Sequence, residues 1–247
     1  MLRRALVGQE RASGPEHIST LATVRGLGNV YQAQGRLAEA EEMYEKALAG
    51  FEFALGPEHP STLDSLNTMG VVFTAQNRLA DAEKMFERVL TGYEKIHGQE
   101  HTRTLQAVNN MGLLYLAQGS PEKAERMFER VFAGFEKTVG PEHACTLYTV
   151  LNLGVVFSDQ GRLEEAEEMQ NRALAGLEEA FGSEHSMVSH VYSNIGHFYA
   201  KQGRLAEAEP MFERALVGYE KAHGSEHQDT VQAGDLLRQV RHLLNPY

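Results

Sequence analysis

The chain is poor in several residue types, and each shortage excludes a class of protein. One of its 247 residues is cysteine, Cys145, so neither an intramolecular disulfide nor a thiolate metal cluster can form. There is no tryptophan, and no apolar run approaches the roughly 18 residues that a membrane span needs. Basic residues number 23 against 34 acidic ones, which gives a formal net charge of −11.

This negative charge argues against two kinds of partner. A nucleic-acid binder needs a basic face that displaces counterions from phosphates, and anionic lipid headgroups repel an acidic surface. The sequence also has no secretory signal segment and no Asn-x-Ser/Thr acceptor. We therefore expect a cytoplasmic protein with no nucleic-acid partner and no membrane partner.

Motifs for catalysis are missing as well. The sequence has no phosphate-binding loop ending in Gly-Lys-Ser/Thr, no Gly-x-Ser-x-Gly turn and no His-Glu-x-x-His helix. Gly26-Leu27-Gly28 lacks both a third glycine and a preceding strand, so it is not a dinucleotide site. We predict that the chain is not an enzyme and holds no cofactor and no metal. An enzyme would have to use a site around His190 and His197.

What the chain does have is an internal repeat of 42 residues. A Gly-x-Glu-His block recurs without insertion or deletion at Gly14, Gly56, Gly98, Gly140, Gly182 and Gly224. A fixed period of this length indicates stacked units, each too small to bury its own apolar face. The predicted boundaries are a partial unit at 1–13, repeats at 14–55, 56–97, 98–139, 140–181 and 182–223, and a capping helix at 224–247, all in one domain.

Each unit is predicted to form two helices. In the second unit the first helix is expected over 62–76 and the second over 79–96, where apolar residues follow three-and-four spacing. The Gly-Arg-Leu turns at Gly35, Gly161 and Gly203 would end the first helix, with Ser120-Pro121 taking that role in the third unit. Since residues 1–13 align with a second helix, either the chain was cut from a larger protein, which we favour, or this partial helix serves as a cap.

Glycine recurs inside each first helix, where it costs about 1 kcal/mol relative to alanine. Such a cost at one register indicates that a neighbouring helix passes too close for a side chain. The matching contacts on the second helix would be alanines. The glycines are Gly28, Gly70, Gly112, Gly154 and Gly196, and the alanines are Ala40, Ala82, Ala124, Ala166 and Ala208.

The spacing Gly28-Tyr31-Ala40, repeated at Gly112-Tyr115-Ala124, resembles the tetratricopeptide repeat. Glutamates such as Glu52 and Glu94 stand where that family usually has a helix-ending proline, so the second helix would run on. This long variant is similar to the repeats of kinesin light chains and of fungal receptor-like arrays. The resemblance implies an all-α fold, a right-handed superhelical solenoid of stacked antiparallel helix pairs.

The resemblance also implies a binding face. In this family the first helices line a concave groove in which an asparagine bonds the backbone of a peptide, and Asn110, Asn152 and Asn194 match it. The alternative is that these asparagines tie adjacent helices together. Thr68 and Gly26 depart from the pattern. The rest of the groove looks nearly uncharged, with Val71, Leu113, Val155 and Leu116 facing it and few basic residues (Arg25, Arg103, Lys201).

Two histidine patterns have different interpretations. His190, Asn194 and His197 share one helical face, and we expect Tyr148 and Asn152 beside them as a polar recognition spot. Ordinary surface histidines are the alternative there. The six histidines of the Gly-x-Glu-His blocks recur one per unit, too far apart to share a metal ion, so we predict a loop and helix-capping role.

The predicted function is a scaffold that binds a peptide or partner protein in the concave groove. Within the resemblance, a cargo adaptor competes with a ligand-sensing receptor region, and the near-identical repeats favour the fungal receptor kind. A self-associating array without a peptide ligand, joined end to end through unpartnered helix faces, is the alternative.

Overall fold

A computed structural model describes the backbone of residues 2–245 and the side chains of residues 6–245. Over that range the chain forms twelve α-helices and no β-strand, which confirms the all-α prediction. Met1, where the first predicted helix begins, lies outside the described residues. The helices are α1 (Leu2–Ser13), α2 (Ile18–Ala33), α3 (Leu37–Leu55), α4 (Pro60–Ala75), α5 (Leu79–His97), α6 (Thr102–Ala117), α7 (Pro121–Thr138), α8 (Ala144–Asp159), α9 (Leu163–Phe181), α10 (Ser186–Lys201), α11 (Leu205–His223) and α12 (Gln228–Leu244).

The helices fall into two compact units, Met1–Met127 and Phe128–Tyr247. Even-numbered helices, called first helices below, pair with the odd-numbered second helices that follow them. In the first unit α2 packs against α3, and α4 packs against α3 and α5. In the second unit α8 packs against α9, and α10 packs against α9 and α11. First helices also contact one another, α4 with α6 and α8 with α10.

Each unit has its own apolar core, built where the second helix faces the first. Tyr44, Phe51 and Phe86 are buried in the first unit, and Tyr192 and Phe212 in the second. Fully burying an aromatic side chain contributes about 1.5 to 3 kcal/mol, so a few such rings supply much of the stability of a helix pair. Among the described residues, no helix has both the length and the apolar character to cross a membrane.

The glycines inside the first helices make room for these rings. A Cβ atom on Gly28 would lie 2.6 Å from Cε1 of Tyr44, and one on Gly70 would lie 2.6 Å from Cε1 of Phe86. The sequence analysis correctly predicted that a neighbouring helix passes close to these glycines. It named the wrong residues of that helix as the nearest contacts. The nearest atoms belong to a ring four residues beyond the predicted alanine, because the ring reaches back across the helix interface. The alanines Ala40, Ala82, Ala124, Ala166 and Ala208 are nevertheless fully buried.

A residue with positive φ ends several of the first helices. Gly35, Gly161 and Gly203 have φ of 71°, 79° and 73°, as the sequence predicted. The expectation that Ser120-Pro121 replaces this residue in the third pair is wrong, since Gly119 itself has a φ of 67°. Helix α7 does begin at Pro121, the position where a missing N–H costs nothing.

The loop histidines are helix caps, which confirms their predicted role. Nδ1 of His59 accepts a hydrogen bond from the backbone N–H of Ser61 at 3.1 Å, and Nδ1 of His143 accepts one from Cys145 at 3.2 Å. Thr62, three residues after His59, donates its hydroxyl to the carbonyl of Gly56 at 2.8 Å. The same cap forms at His17, His101, His185 and His227.

Candidate functional site

In the second unit, three predicted site residues line one small pocket. Val155 of α8 and Asn194 and His197 of α10 border a cavity of about 90 Å³ where these helices meet α9. Asn152, one turn before Val155 on α8, is half-buried. The expected polar spot is thus partly assembled by the contact between α8 and α10.

The imidazole of His197 has a defined orientation. Nδ1 lies 2.7 Å from the backbone carbonyl of Ser193, and its ring meets Phe212 edge-on at a centroid distance of 5.2 Å. A carbonyl oxygen can only accept, so Nδ1 holds the proton. In the neutral imidazole Nε2 is therefore an acceptor.

His190 contacts other residues than His197 does. Its Nδ1 lies 2.7 Å from the hydroxyl of Tyr219 on α11, and the two rings stand nearly perpendicular, with centroids 5.0 Å apart. Desolvation lowers the pKa of His190, with His223 adding to the effect and Asp229 opposing it. Burial raises the pKa of Tyr219, and Asp229 and Tyr148 raise it further.

Burial also raises the pKa of Tyr148 on α8. The structure places Tyr148 and His190 near one tyrosine, and Asn194 and His197 around one pocket. The histidines share no metal arrangement. In the part of the chain with described side chains, no three His, Cys, Asp or Glu residues are grouped so that they could hold a metal ion.

In the first unit the asparagine makes a contact between helices. Nδ2 of Asn110 on α6 donates to Oδ1 of Asn67 on α4 at 2.9 Å. This bond is the helix-tying arrangement that was the alternative to ligand contact. Val71 packs partly buried against the core of this unit, Leu116 is half-buried, and Leu113 is 42% exposed.

The three basic residues predicted on the first helices are engaged by carboxylates. Nη1 of Arg103 lies 3.1 Å and Nη1 of Arg25 3.6 Å from the carboxylate of Asp64. Nζ of Lys201 lies 3.0 Å from Asp159. Lys201 thus has a carboxylate partner of its own, whereas Arg25 and Arg103 share the single carboxylate of Asp64.

The helix pairs have the pattern of a known repeat family. Its sequence model, described as the tetratricopeptide repeat, matches residues 1–52, 19–95, 96–179 and 188–229. The chain belongs to the tetratricopeptide repeat family. Repeats of this family typically mediate protein–protein interaction and are generally non-enzymatic. No curated protein matches the chain.

Several solved structures are similar to this chain. A kinesin light chain-like protein of Podospora anserina with nearly identical TPR-like repeats is 26% identical, with a TM-score of 0.63 over 84% of this chain and 98% of that one. BtubC (BKLC) from P. vanneervenii is 18% identical, with a TM-score of 0.66 over 100% and 90% of the two chains. A Rap protein in complex with competence and sporulation factor is 14% identical, with a TM-score of 0.59 over 93% and 66%. The last two show the fold alone.

One residue at the site was missed in the sequence analysis. Among these tetratricopeptide repeats, the ring that faces the glycine is Tyr44, Phe86 or Phe212, but the residue at the same register in α9 is Gln170. Gln170 is 2% exposed, lies 2.8 Å at Cγ from the position of a Cβ on Gly154, and lines the pocket. Aligning the five full repeats column by column would have revealed it, since the other four residues in that column are aromatic.

Proposed function

We propose that the chain is a scaffold that binds a peptide or partner protein on the face of its first helices. One observation carries the proposal: the hydrogen-bonding side chains of Asn194 and His197 border a pocket together with Val155. An amide offers both donors and an acceptor, so it can pair with the backbone of a peptide of any sequence.

The charged side chains near this face form ion pairs with one another, which favours a ligand whose contact surface is uncharged. Lys201 and Asp159 pair with each other and together present no net charge to a ligand, whereas Arg25 and Arg103 share the single carboxylate of Asp64. A bound segment would therefore be recognised by hydrogen bonds and apolar contacts rather than by a strong ionic attraction. Asn152 and Tyr148 would extend the binding face along α8, and His190 along α10.

In the first unit fewer hydrogen-bonding groups are open to a ligand. Asn110 already pairs with Asn67, so a ligand that used its amide would have to share or break a bond of 2.9 Å. Val71, Leu113 and Leu116 would then supply apolar contact beside it. We assign the stronger hydrogen-bonding role to Asn194, which borders the pocket.

The test is an affinity capture with matched variants. The native chain, an Asn152→Ala/Asn194→Ala variant and an Asn171→Ala/Glu220→Ala control would be compared after circular dichroism has shown equal helicity. The control residues are exposed on second helices of the same unit. A partner retained by the control and lost by the first variant supports the proposal. Equal capture by all three would place binding elsewhere and contradict it.

Self-association is the competing proposal, and one observation favours it. Val231 on α12 is 48% exposed and Leu243 57% exposed, so the last helix presents apolar side chains to solvent. Light scattering over a concentration series decides between the two. A mass that stays at one chain of 27.5 kDa removes self-association, whereas a mass that rises with concentration supports it.

A further inference from the structure

Phe53 on α3 is the most exposed large apolar side chain among the residues whose side chains are described. It is 85% exposed, whereas the next, Leu243, is 57% exposed. Ala49, one turn earlier on α3, and Ala54 are exposed as well. An apolar side chain stabilises a fold by the surface that it removes from water, and this ring removes very little. The ring therefore contributes little to the stability of the chain.

The other repeats have a charged side chain at this register. Two of the lysines there pair with the glutamate 37 residues before them: Nζ of Lys95 lies 2.6 Å from the carboxylate of Glu58, and Lys221 makes the same contact in the second unit. The equivalent glutamate in the first pair is Glu16, with which Phe53 cannot form an ion pair. The charged residues of the register are Arg11, Lys95, Lys137, Glu179 and Lys221.

The surface beside this ring is also more acidic than the same surface of the next pair. In the α4–α5 pair, two glutamates and Lys84 border one pocket. At the same three registers the first pair has only glutamates, Glu16, Glu42 and Glu45, and all three are exposed. Phe53 thus combines a protruding aromatic ring with neighbouring negative charge, whereas the equivalent Lys95 supplies a positive charge.

We propose that Phe53 anchors a second protein-binding surface, whose partner is a protein with an apolar pocket and a lysine or arginine at the rim of that pocket. Aromatic side chains that become buried in a partner's pocket carry much of the binding energy of an interface. The cation at the rim would pair with Glu16 and fix the orientation of the partner. Because α3 is a second helix, this surface is separate from the face of the first helices.

A second copy of the chain has the wrong charge to be this partner. Each copy has a formal net charge of −11, and the surface around Phe53 is itself acidic. Two acidic surfaces repel each other, whereas a basic rim attracts the glutamates on α3 and in the loop before α2. Charge complementarity therefore favours a different, basic protein.

The probe for this surface is the chain itself with a photo-crosslinking benzoylphenylalanine in place of Phe53. It would be irradiated in an extract of the cells that express the chain, next to a control chain that carries the same group in place of Lys221. Mass spectrometry of the adducts identifies both the partner and its residues that contact position 53. We expect an adduct specific to position 53, at an apolar pocket with a lysine or arginine beside it.

Calorimetry with the purified partner then compares the native chain with three variants. Phe53→Lys restores the charge found in other repeats and an ion pair with Glu16, so it should melt no lower than the native chain. It should bind the partner about 30-fold or more weakly. Glu16→Gln should weaken binding about three- to tenfold and reduce its salt dependence. Lys221→Ala, at the same register in the second unit, should bind as the native chain does.

Several results would overturn the proposal: no adduct from position 53, an adduct only between two copies of the chain, the same partner captured equally from position 221, or a contacted site without a basic residue. Native affinity in Phe53→Lys would overturn it too. Loss of binding in Phe53→Lys with native affinity in Lys221→Ala supports it. The Asn152→Ala/Asn194→Ala variant should keep this binding, so the two binding surfaces can fail independently.

Discussion

The α4–α5 pair of the first unit and the α8–α9 pair of the second have the same glycine but different residues against it. Gly70 faces the ring of Phe86, whereas Gly154 faces the Cγ methylene of Gln170. The first arrangement closes the helix interface with apolar atoms. The second leaves a polar cavity and an unpaired acceptor. A repeat that departs from its neighbours at a core position, without a partner to offset the cost, marks a position with another use.

A second difference separates the two units at the tyrosine near the end of the second helix. The hydroxyl of Tyr93 donates to the carboxylate of Asp64, and that of Tyr219 lies on the imidazole of His190. Asp64 also holds Arg25 and Arg103, so the first unit joins three first helices through one carboxylate. In the second unit the corresponding place holds a histidine with a lowered pKa.

Exchanging the core residues should have the largest effect. Phe86→Gln removes a buried ring and introduces polar atoms without partners, so we expect the free energy of unfolding to fall by about 3 to 5 kcal/mol. The reverse change, Gln170→Phe, should raise it by about 1 kcal/mol. Urea unfolding followed by circular dichroism measures both. A Phe86→Gln cost near zero would mean that the ring does not support the interface.

Two glycines of α2 test whether the close approach matters. Gly28→Ala places a Cβ 2.6 Å from the ring of Tyr44, so we expect a loss of about 1 to 3 kcal/mol in unfolding free energy. Gly26 has no atom within 4 Å of its Cβ position, and Gly26→Ala should stabilise the helix by about 0.5 to 1 kcal/mol. Equal changes in melting temperature for Gly28→Ala and Gly26→Ala would contradict the contact between Gly28 and the ring of Tyr44.

Asp64 of the first unit and Asp159 of the second should contribute unequally to the free energy of unfolding. Asp64→Asn loosens Arg25 and Arg103 together, and we expect a cost of about 1 kcal/mol, because several charges form a network. Asp159→Asn loses only Lys201, a pair exposed at both ends, and should cost less than about 0.5 kcal/mol. Repeating the urea titrations in high salt should shrink the difference, and a difference that salt leaves unchanged would argue against an electrostatic cause.

The helix caps should behave alike in both units. His59→Ala and His143→Ala each remove the acceptor for a backbone N–H, at a cost of about 0.5 to 1 kcal/mol. His→Asn at the same positions should restore most of it, since asparagine is a good cap. Unequal losses measured by chemical denaturation would show that the difference between the units extends to their loops.

The smallest effect concerns pH and His190. Its pKa in the folded chain is lowered from 6.5, mainly by desolvation, so below that pH the unfolded chain takes up the proton more readily. Stability should therefore fall as the pH drops through this range, and His190→Gln should make the fall shallower. Unfolding curves at several pH values check this. A steeper fall in the variant would contradict the direction of the shift.

Much of the fold could be predicted because its signals are local. The three-and-four spacing of apolar residues identified the helices, and the glycines with positive φ marked most of the turns. The loop histidines were assigned to caps because a cap needs only residues two or three apart. The ring partners of Gly28 and Gly70 were missed because they depend on how two helices pack.

The site was predicted less completely for the same reason. The register identified Asn194 and His197 as neighbours of α8, but the bond between Asn110 and Asn67 depends on side-chain geometry across α4 and α6. His190 was expected in the polar spot, yet its contact with Tyr219 involves α11. Gln170 was missed because the periodic pattern that identifies the repeat does not reveal a single position at which one repeat differs from the others.

The loop before five of the six first helices, all but α10, satisfies its own hydrogen bonds. In the stretch from Gly56 to Thr62, the histidine caps the helix and the threonine bonds the glycine carbonyl, all within seven consecutive residues. Because no distant residue is needed to form this junction, a whole unit can be duplicated or deleted by recombination without rebuilding the joint. The number of repeats can thus change between relatives, while each junction keeps its structure.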